Sequence, residues 1–282
     1  MRLPHRDRRM TTDKGPPLVT VVTPVLNGAR FIRRTIRSVL EQKGNFILEY
    51  IICDGGSTDA TLSIVKEFGD HCRLIQLPGG GPQEAINFAL AQARGAIAGW
   101  LGADDLLAAG ALDLVVKAFG EHPENDWLYG RCRIIDECGQ EIRRWITVYK
   151  NLLGRRFSRR RLQAENFINQ PATFWRMTLW RRCGGLNRRY QAAFDYDLWL
   201  RFAACGPPLV LFDYLASFRR HSASISERGY AGQFAEELSI SKREASPLVY
   251  QLHRFNAYKI VTIYHCLAKL SQLKNKLLAG RP

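Results

Sequence analysis

Two adjacent carboxylates, Asp104 and Asp105, follow the apolar run 97–101, which stops at a glycine. Ionised carboxylates side by side repel each other, at a cost of about 1 kcal/mol at close range, unless a cation lies beside them. Mg²⁺ is commonly held by one or two carboxylates together with phosphates. Residues 106–119 predict a helix, and an aspartate at a helix start also caps backbone N–H groups. The pair therefore indicates either a metal site or a helix cap.

A second polar cluster, residues 54–59 (DGGSTD), follows the predicted strand 48–53. Its two glycines let the backbone approach a ligand closely, and Ser57 or Thr58 can cap the next helix, whose N-terminus favours anions. Asp54 is an acceptor for an N–H group or a ribose hydroxyl, or else part of a capped turn. The dinucleotide fingerprint G-x-G-x-x-G is absent from the first such turn, which reads TPVLNG (23–28).

Strands and helices alternate through the first half of the chain. Short connections between them predict right-handed crossovers and a largely parallel sheet with helices on both faces. Ligands bind outside the carboxyl ends of such strands, so Asp54 and the pair Asp104 and Asp105 are expected to face one crevice. We predict strands at 18–23, 48–53, 73–77 and 97–101, and helices at 31–42, 58–68 and 83–93.

The alternation changes after residue 128. A mixed or antiparallel portion is expected there, followed by a helical tail. We predict strands at 127–135, 142–148, 172–175 and 209–212, a helix at 195–204, and helical structure from Phe234 onward.

The formal charge of +15 over 282 residues predicts attraction to something anionic, such as nucleotide or lipid phosphates. Seven scattered cysteines without a C-x-x-C pair argue against a disulfide framework and a zinc site, and fit a reducing cytosol. Helix-turn-helix, zinc-finger and RNP patterns are missing, so nucleic-acid binding rests on charge alone. Without a signal peptide or a long apolar stretch, we expect a cytoplasmic protein that meets a membrane only at its surface.

The positive charge is concentrated in two segments. Residues 143–161 carry eight Arg or Lys residues and no acid, and the tail from Gln251 carries no acid either. Each basic residue near an anionic membrane contributes about 1 kcal/mol, and the apolar residues of the tail suit an interfacial helix. A solvated basic surface is the alternative. The apolar residues of the tail could equally pack on the main domain or on a second subunit in a homodimer.

In their order, the motifs resemble the family 2 glycosyltransferases, whose nucleotide-binding fold is called GT-A. The matching segments are TPVLNG (23–28), DGGSTDATLSIV (54–65), EAINFALAQARGAIAGWLGADD (84–105), QPATFWR (170–176) and GGLNRRYQAAFDYDLWLRF (184–202). The resemblance implies an inverting transferase that moves a sugar from a nucleotide-diphosphate sugar to a saccharide or lipid-linked acceptor, with Mn²⁺ or Mg²⁺, in bacterial surface-polysaccharide synthesis. It implies a leader (1–17), a GT-A domain (18–232, divided at 128/129) and a basic tail (233–282).

The resemblance also implies roles on the donor side. Asp54 would contact the nucleobase, and Pro24 with Asn27 would shape the base pocket. Asp104 would bind the ribose, and Asp105 would ligate the metal. Because these carboxylates are all present, a non-catalytic scaffold with the same fold is the weaker alternative.

Further roles follow for the second half of the chain. Asp195 would be the general base, with Asp197 as the alternative, and an N-cap role is the competing interpretation of Asp195. His221 would be a further metal ligand, or a surface histidine. Gln170 and Trp175 would line the acceptor side.

Some positions depart from the family pattern or add charge. Leu26 stands where relatives often have an aromatic residue, Gly102 where an asparagine is common, and Phe194 where a glutamate is usual. Arg219 and Arg220 could neutralise the leaving diphosphate.

Overall fold

The computed structural model describes residues 15–221, 230–260 and 262. The predicted leader therefore lies almost wholly outside the described residues, as does the predicted tail beyond residue 262. The proposed domain boundaries stay predictions.

The strands of the described chain are β1 (Leu18–Val25), β2 (Ile47–Asp54), β3 (Arg73–Gln76), β4 (Ile97–Trp100), β5 (Leu106–Leu107), β6 (Trp127–Ile135), β7 (Thr173–Arg176) and β8 (Leu209–Arg219). The helices are α1 (Ile32–Leu40), α2 (Thr61–Lys66), α3 (Pro82–Ala91), α4 (Ala111–Glu121), α5 (Arg144–Gly154), α6 (Arg159–Ala164), α7 (Met177–Cys183), α8 (Phe194–Cys205) and α9 (Tyr230–Glu244). A C-terminal helix covers residues 247–260.

One mixed sheet contains these strands in the order β3-β2-β1-β4-β7-β6-β8-β5. Strands β1 to β4 pair in parallel. The central strands β1 and β4 and most of β2 are buried on both faces, as crossover helices on both sides require, whereas β3 at the edge of the sheet is partly exposed. In this register Val25 pairs with Asp54 and Val22 with Trp100, so the carboxyl ends of β1, β2 and β4 lie together. The predicted α/β class is confirmed, and the strand ends that precede the acidic residues lie side by side.

The second half of the sheet brings β8 back to the end of β4. Strand β7 is antiparallel to β4 and β6, while β6 runs parallel to β8. The prediction of a helix over 106–119 is wrong at its start, because Leu106 and Leu107 form the short strand β5 against β8. The helix begins only at Ala111, after Gly110 in the left-handed region. The last strand extends to Arg219, well beyond the predicted 209–212.

The strand predicted at 142–148 is also wrong, because Arg144–Gly154 is the helix α5. Its β-branched residues suggested a strand, but only Ile146 and Thr147 among them are buried. Tertiary packing of that narrow buried face outweighs the local preference for extended structure.

A group of indole rings fills the core on one side of the sheet. Trp199 stacks on Trp100 and on Trp127, with ring centroids 5.6 Å and 6.1 Å apart. Trp175 packs against Trp180 at 5.4 Å. Because these rings come from β4, β6, β7, α7 and α8, they join helix α8 firmly to the centre of the sheet.

One backbone carbonyl connects the C-terminal helices to this core. The Gln163 oxygen accepts hydrogen bonds from the Tyr196 hydroxyl and the Ser241 hydroxyl, each at 3.0 Å. The His253 Nδ1 lies 2.9 Å from the same oxygen. Helices α6, α8, α9 and the C-terminal helix therefore meet at one point, and the described part of the tail packs on the main domain.

Replacing Gly99 by alanine should destabilise the protein. An added Cβ at this position in β4 would lie 2.7 Å from the Phe174 ring and 3.3 Å from the Thr173 oxygen. Overpacking of this kind costs about 1–3 kcal/mol of unfolding free energy. Gly120→Ala on α4, where nothing lies within 4 Å, is the matched control and should stabilise the helix slightly. Thermal unfolding measures both, and an unchanged melting temperature for Gly99→Ala would contradict this packing.

Candidate functional site

Asp54 ends β2 with its two carboxylate oxygens in different situations. Its Oδ2 accepts hydrogen bonds from the N–H groups of Gly56 (3.0 Å) and Ser57 (2.9 Å). Its Oδ1 is buried and has no hydrogen-bond partner. A buried acceptor without a partner costs free energy, so Oδ1 is suited to receive a donor from a ligand. Asp54 thus forms the capped turn that its position predicts, and its binding role stays a prediction.

The loops after β1 and β2 are locked together beside Asp54. Asn27 adopts a left-handed backbone conformation (φ 52°), and its Oδ1 accepts the Thr58 N–H at 2.8 Å. The Asn27 N–H donates in turn to the Ser57 hydroxyl at 2.8 Å. Pro24 is half-buried in β1, and Leu26 is exposed at its end. Asn27 therefore joins the two loops through its side-chain oxygen and its backbone N–H. The exposed Leu26 side chain beside it is open to a ligand.

Asp105 is a buried carboxylate that organises the end of β4. Its Oδ1 accepts the backbone N–H of Arg219 at 2.8 Å. Burial, followed by the neighbouring Asp104 charge, raises the pKa of Asp105 above its usual range. Only 3% of the residue is exposed. This contact joins the two strand ends through Oδ1, and the metal-ligand role of Asp105 implied by the resemblance stays a prediction.

Arg219 completes the same junction. Its Nε donates to the Asp104 carbonyl oxygen and its Nη1 to the Asp136 carbonyl oxygen, both at 2.7 Å. The guanidinium lies over the Phe31 ring, 4.9 Å from its centroid. Since Arg219 is fully buried, the expectation that it neutralises a leaving diphosphate is wrong. Arg220 is buried as well, and its N–H donates to the Ile135 oxygen.

Asp104 and His221 face each other at the open side of the junction. The His221 Nε2 lies 2.8 Å from the Asp104 Oδ2, and the Asp104 side chain is partly exposed. An added Cβ at Gly102 would lie within 2.9 Å of oxygens of both Asp104 and Asp105. Glycine at this position therefore leaves room for both carboxylates.

Asp104 and His221 fit a divalent cation whose remaining ligands come from water and from phosphate oxygens. No group of three or more His, Cys, Asp or Glu side chains that could hold a metal occurs among the described residues. Mg²⁺ and Mn²⁺ accept one carboxylate, with imidazole as a further donor, and take their remaining ligands from water and phosphate oxygens. Asp104 and His221 supply that donor set.

Asp195 and Asp197 lie in the first turn of α8 but have different partners. Asp197 is buried between two arginines, with Arg201 Nη2 at 2.8 Å from its Oδ2 and Arg243 Nη2 at 2.7 Å from its Oδ1. Asp195 is half-buried and its Oδ1 accepts the Tyr196 N–H at 2.7 Å. Burial raises the pKa of Asp195 to about 6, against the opposing charge of Lys150. Asp195 is therefore the carboxylate of the two that is suited to proton transfer near neutral pH.

A carboxylate from α9 holds the backbone in front of Asp195. The two Glu236 oxygens accept the N–H groups of Gln191 (2.8 Å), Ala192 (2.9 Å) and Ala193 (2.9 Å). These are N–H groups at the start of α8, where a negative charge also suits the helix dipole. Sequence reasoning missed this contact, since nothing in the pattern around Glu236 relates it to a loop some forty residues earlier.

Glu237, the next residue of α9, lines a polar cavity on the same side of the molecule. Burial raises the pKa of Glu237 to about 7, and the Asp195 charge adds to this. The cavity has a volume of about 110 Å³. Its polar lining includes Lys150, Asn166, Gln233, Glu237, His253 and Asn256. Its donors and acceptors are of the kind that binds hydroxyl groups.

The two residues predicted on the acceptor side, Gln170 and Trp175, differ in how deeply they are buried. Gln170 is half-buried, and its Nε2 donates to the Trp100 carbonyl oxygen at 2.6 Å. Trp175 is fully buried among the core indoles. Trp175 therefore does not line the acceptor side, because its ring has no exposed surface with which to contact a ligand.

Architecture and sequence together identify the class of protein. A parallel half followed by mixed strands, with acidic residues at the strand ends, is the arrangement of the GT-A fold. The sequence matches the profile of glycosyl transferase family 2 over residues 20–182. The chain therefore belongs to glycosyltransferase family 2.

Several relatives share part of this sequence. The chain is 31% identical over 193 residues to chondroitin synthase of Pasteurella multocida and, equally, to hyaluronan synthase of that species, covering 67% of this chain. It is 26% identical over 215 residues to an uncharacterized glycosyltransferase of Rickettsia typhi, covering 73% of this chain and 65% of the relative. The chain spans 19% of the length of the two synthases.

Solved structures share the fold at lower identity. A mannosyltransferase from Pyrobaculum calidifontis, in complex with GDP-Man and Mn²⁺, has a TM-score of 0.64 at 20% identity, covering 94% of this chain and 76% of that one. TarS of S. aureus, in complex with UDP-GlcNAc, has a TM-score of 0.62 at 18% identity, covering 80% of this chain and 66% of that one. Both are GT-A glycosyltransferases.

Within the described ranges, no helix is both long enough and apolar enough to cross a bilayer.

Asp197→Asn and Asp195→Asn should change stability differently. Removing the Asp197 charge leaves two partly exposed arginines without their buried partner, which we expect to cost about 1–3 kcal/mol of unfolding free energy. Asp195→Asn should not destabilise, because burial already disfavours the charge of Asp195. Urea unfolding at neutral pH measures both.

The control for this comparison is Asp126→Asn, which breaks an exposed ion pair with Arg182 and should change stability by about 0.5 kcal/mol or less. A loss for Asp195→Asn as large as that for Asp197→Asn would contradict the different environments of the two carboxylates.

Proposed function

We propose that the protein is an inverting, metal-dependent glycosyltransferase. It would move a sugar from a nucleotide-diphosphate sugar to a hydroxyl group of a saccharide or lipid-linked saccharide. The observation that carries this proposal is the division of the carboxylates: Asp54 and Asp104 lie at the strand ends, while Asp195 has a pKa of about 6 on the first turn of α8. One group of carboxylates is suited to hold a donor, and the other is suited to accept a proton.

On the donor side, Asp54 would accept an N–H of the nucleobase at its unpartnered Oδ1. Pro24, Asn27 and the exposed Leu26 would form the rim around the base. The GT-A neighbours in complex with UDP-GlcNAc and with GDP-Man support a nucleotide-sugar donor as a class. Which base and which sugar are bound depends on the pocket that this rim shapes.

Asp104 and His221 would together hold Mn²⁺ or Mg²⁺. This assignment moves the metal from Asp105 to Asp104, because Asp105 is buried and joined to Arg219 while Asp104 is open. The GT-A neighbour in complex with Mn²⁺ supports the use of a divalent cation. When bound, such a cation stabilises the negative charge of a departing diphosphate and makes a protein general acid unnecessary.

Asp195 would act as the general base. Its carboxylate takes the proton of the acceptor hydroxyl while the hydroxyl oxygen bonds to the anomeric carbon and the bond to the diphosphate oxygen breaks. A single displacement of this kind inverts the configuration and forms no covalent sugar–enzyme intermediate. Glu236 holds the backbone before Asp195, and so it is a positioning residue.

Acceptor and location are proposed from relatives and charge. The Pasteurella multocida relatives are named as chondroitin and hyaluronan synthases, which supports a saccharide acceptor and a role in cell-surface polysaccharide synthesis. The charge of +15 supports a location at the inner face of the cell membrane, in contact with its surface.

Release of the nucleotide diphosphate from UDP- and GDP-sugars in the presence of Mn²⁺ tests the donor side. Asp104→Asn and His221→Ala should each lower the rate by about a hundredfold or more, since each removes a proposed metal ligand. Glu121→Gln, at the exposed end of α4, is the control and should retain full activity. If both site variants hydrolyse donors as the wild type does, the proposed metal position is wrong.

The pH dependence tests the base. An acid must lose its proton to act as a base, so kcat should rise about tenfold per pH unit below pH 6 and level off above it. Asp195→Asn should lower kcat by about a hundredfold to ten-thousandfold while donor affinity stays unchanged. A rate that does not vary between pH 5 and pH 7, or an active Asp195→Asn variant, would exclude Asp195 as the base.

A further inference from the structure

Helix α5 turns its larger apolar side chains outward. Trp145, Val148, Tyr149 and Leu152 are between 37% and 61% exposed, while Ile146 and Thr147 face the core. The exposed residues follow the spacing i, i+3, i+4, i+7, which places them in one stripe along the helix. An aromatic and aliphatic stripe facing water is unusual, because the outer face of a surface helix is normally polar.

The C-terminal helix (residues 247–260) has a second stripe of the same kind. Leu248, Leu252, Phe255 and Tyr258 are between 50% and 81% exposed. The opposite side of this helix is buried through His253 and Ala257, which line the polar cavity. The apolar stripe is therefore the outward face of a helix that is already docked.

A direct contact at Tyr149 links the two stripes. The Lys259 Nζ lies 3.3 Å from the Tyr149 hydroxyl and 5.5 Å from the centroid of the Tyr149 ring. Asn256 Nδ2 donates to the Ala164 oxygen at 3.1 Å and so anchors the C-terminal helix near α6. We call this surface the outer face; its apolar members are Trp145, Val148, Tyr149, Leu152, Leu248, Leu252, Phe255 and Tyr258.

Arginines border the outer face. They come from the segment 143–161, which contains no acid, and from the C-terminal helix. Apolar and aromatic side chains bordered by basic ones match the interfacial region of an anionic bilayer, where rings and aliphatic chains enter the acyl boundary while cations meet phosphates. The exposed arginines are Arg144, Arg155, Arg156, Arg159, Arg160, Arg161 and Arg254.

We propose that the outer face docks the protein on the surface of an anionic phospholipid bilayer. A second copy of the chain is a poorer occupant, because pairing this face with itself would bring two rows of arginines together. The membrane also explains why two segments far apart in sequence present the same combination of side chains on adjacent helices. This proposal rests on the proposed function in one respect: a lipid-linked acceptor would lie in the same bilayer on which the protein docks.

Helix α5 relates the outer face to the candidate base. Its outward side carries Trp145 and Leu152, and Lys150 on the same helix lines the cavity shared with Glu237. The charge of Lys150 acts on Asp195 as well. Docking through α5 would therefore bring the bilayer to a helix that also borders the cavity lined by Glu237.

Tryptophan fluorescence provides a direct test. Of the six tryptophans, Trp145 is the exposed one; the other five are at most 6% exposed. Adding phosphatidylcholine vesicles that contain phosphatidylglycerol should shift the emission to shorter wavelength, and brominated lipids should quench it. Phosphatidylcholine vesicles alone should have little effect. Trp145→Phe should still bind the anionic vesicles but lose both spectral changes, because its remaining tryptophans are buried.

Vesicle co-sedimentation separates the apolar and basic contributions. Leu152→Ser with Phe255→Ser should weaken binding about tenfold or more, and Arg155→Gln with Arg156→Gln should weaken it about fivefold per residue at low salt. The matched controls are Ile47→Ser for an exposed apolar residue and Arg73→Gln with Arg181→Gln for exposed arginines. The controls should bind as the wild type does.

Three results would overturn the proposal. They are absence of binding to anionic vesicles at low salt, equal losses in the control variants, and a dimer in solution whose Trp145 emission is already blue-shifted without lipid. Nucleotide release from donor sugars is measured on the same variants and should be unchanged. A protein that hydrolyses donors but ignores vesicles would disprove the docking surface and the proposed membrane location, with the proposed transferase activity unaffected. One that binds vesicles but never donors would disprove the proposed transferase activity alone.

Discussion

The candidate site depends on one buried charge. Asp105 accepts the Arg219 N–H inside the protein, and the Arg219 side chain holds the carbonyl oxygens of Asp104 and Asp136. A buried carboxylate is tolerated only where its hydrogen bonds and neighbouring charges are nearly complete. That requirement brings the end of β8 against the loop after β4. The ligand candidates lie beside this junction: Asp104 directly before Asp105, and His221 two residues after Arg219.

The acceptor side depends on the packing of helices rather than strands. The Gln163 carbonyl collects donors from α8, α9 and the C-terminal helix, and Glu236 holds the backbone in front of Asp195. The family profile ends at residue 182, before α8 and α9 begin. The proposed base is therefore positioned by a part of the chain that the family match does not include.

Much of the fold could be predicted because its signals are local. Continuous β-branched runs and helical spacing located β1 to β4 and the helices between them, and the strand-end rule placed Asp54 and Asp104 in one crevice. The errors have long-range causes. Strand β5 exists only because β8 pairs with it, and the β-branched residues at 142–148 suggested a strand where packing of Ile146 and Thr147 forms the helix α5.

For the site, residue type was predictable and burial was not. Sequence identified the acidic pair but could not decide which of Asp104 and Asp105 would be open, since that depends on contacts with Arg219 more than a hundred residues away. Burial also decided the case of Trp175. An aromatic side chain suits a sugar-binding site and a hydrophobic core equally well, and here it lies in the core. Partners distant in sequence decide each of these cases.

The position of His221 and Glu236 on one stretch of chain has a thermodynamic consequence. His221 follows β8 directly and Glu236 lies in α9, so the donor-side and base-side anchors share a single covalent connection. Any coupling of binding free energy between the donor and acceptor sides is reciprocal. If a bound donor favours the docked position of α9, it raises the affinity for the acceptor by the same factor by which the acceptor raises the affinity for the donor. Such cooperativity would favour transfer of the sugar to the acceptor over hydrolysis of the donor, because the proposed base would be best aligned only with both substrates bound.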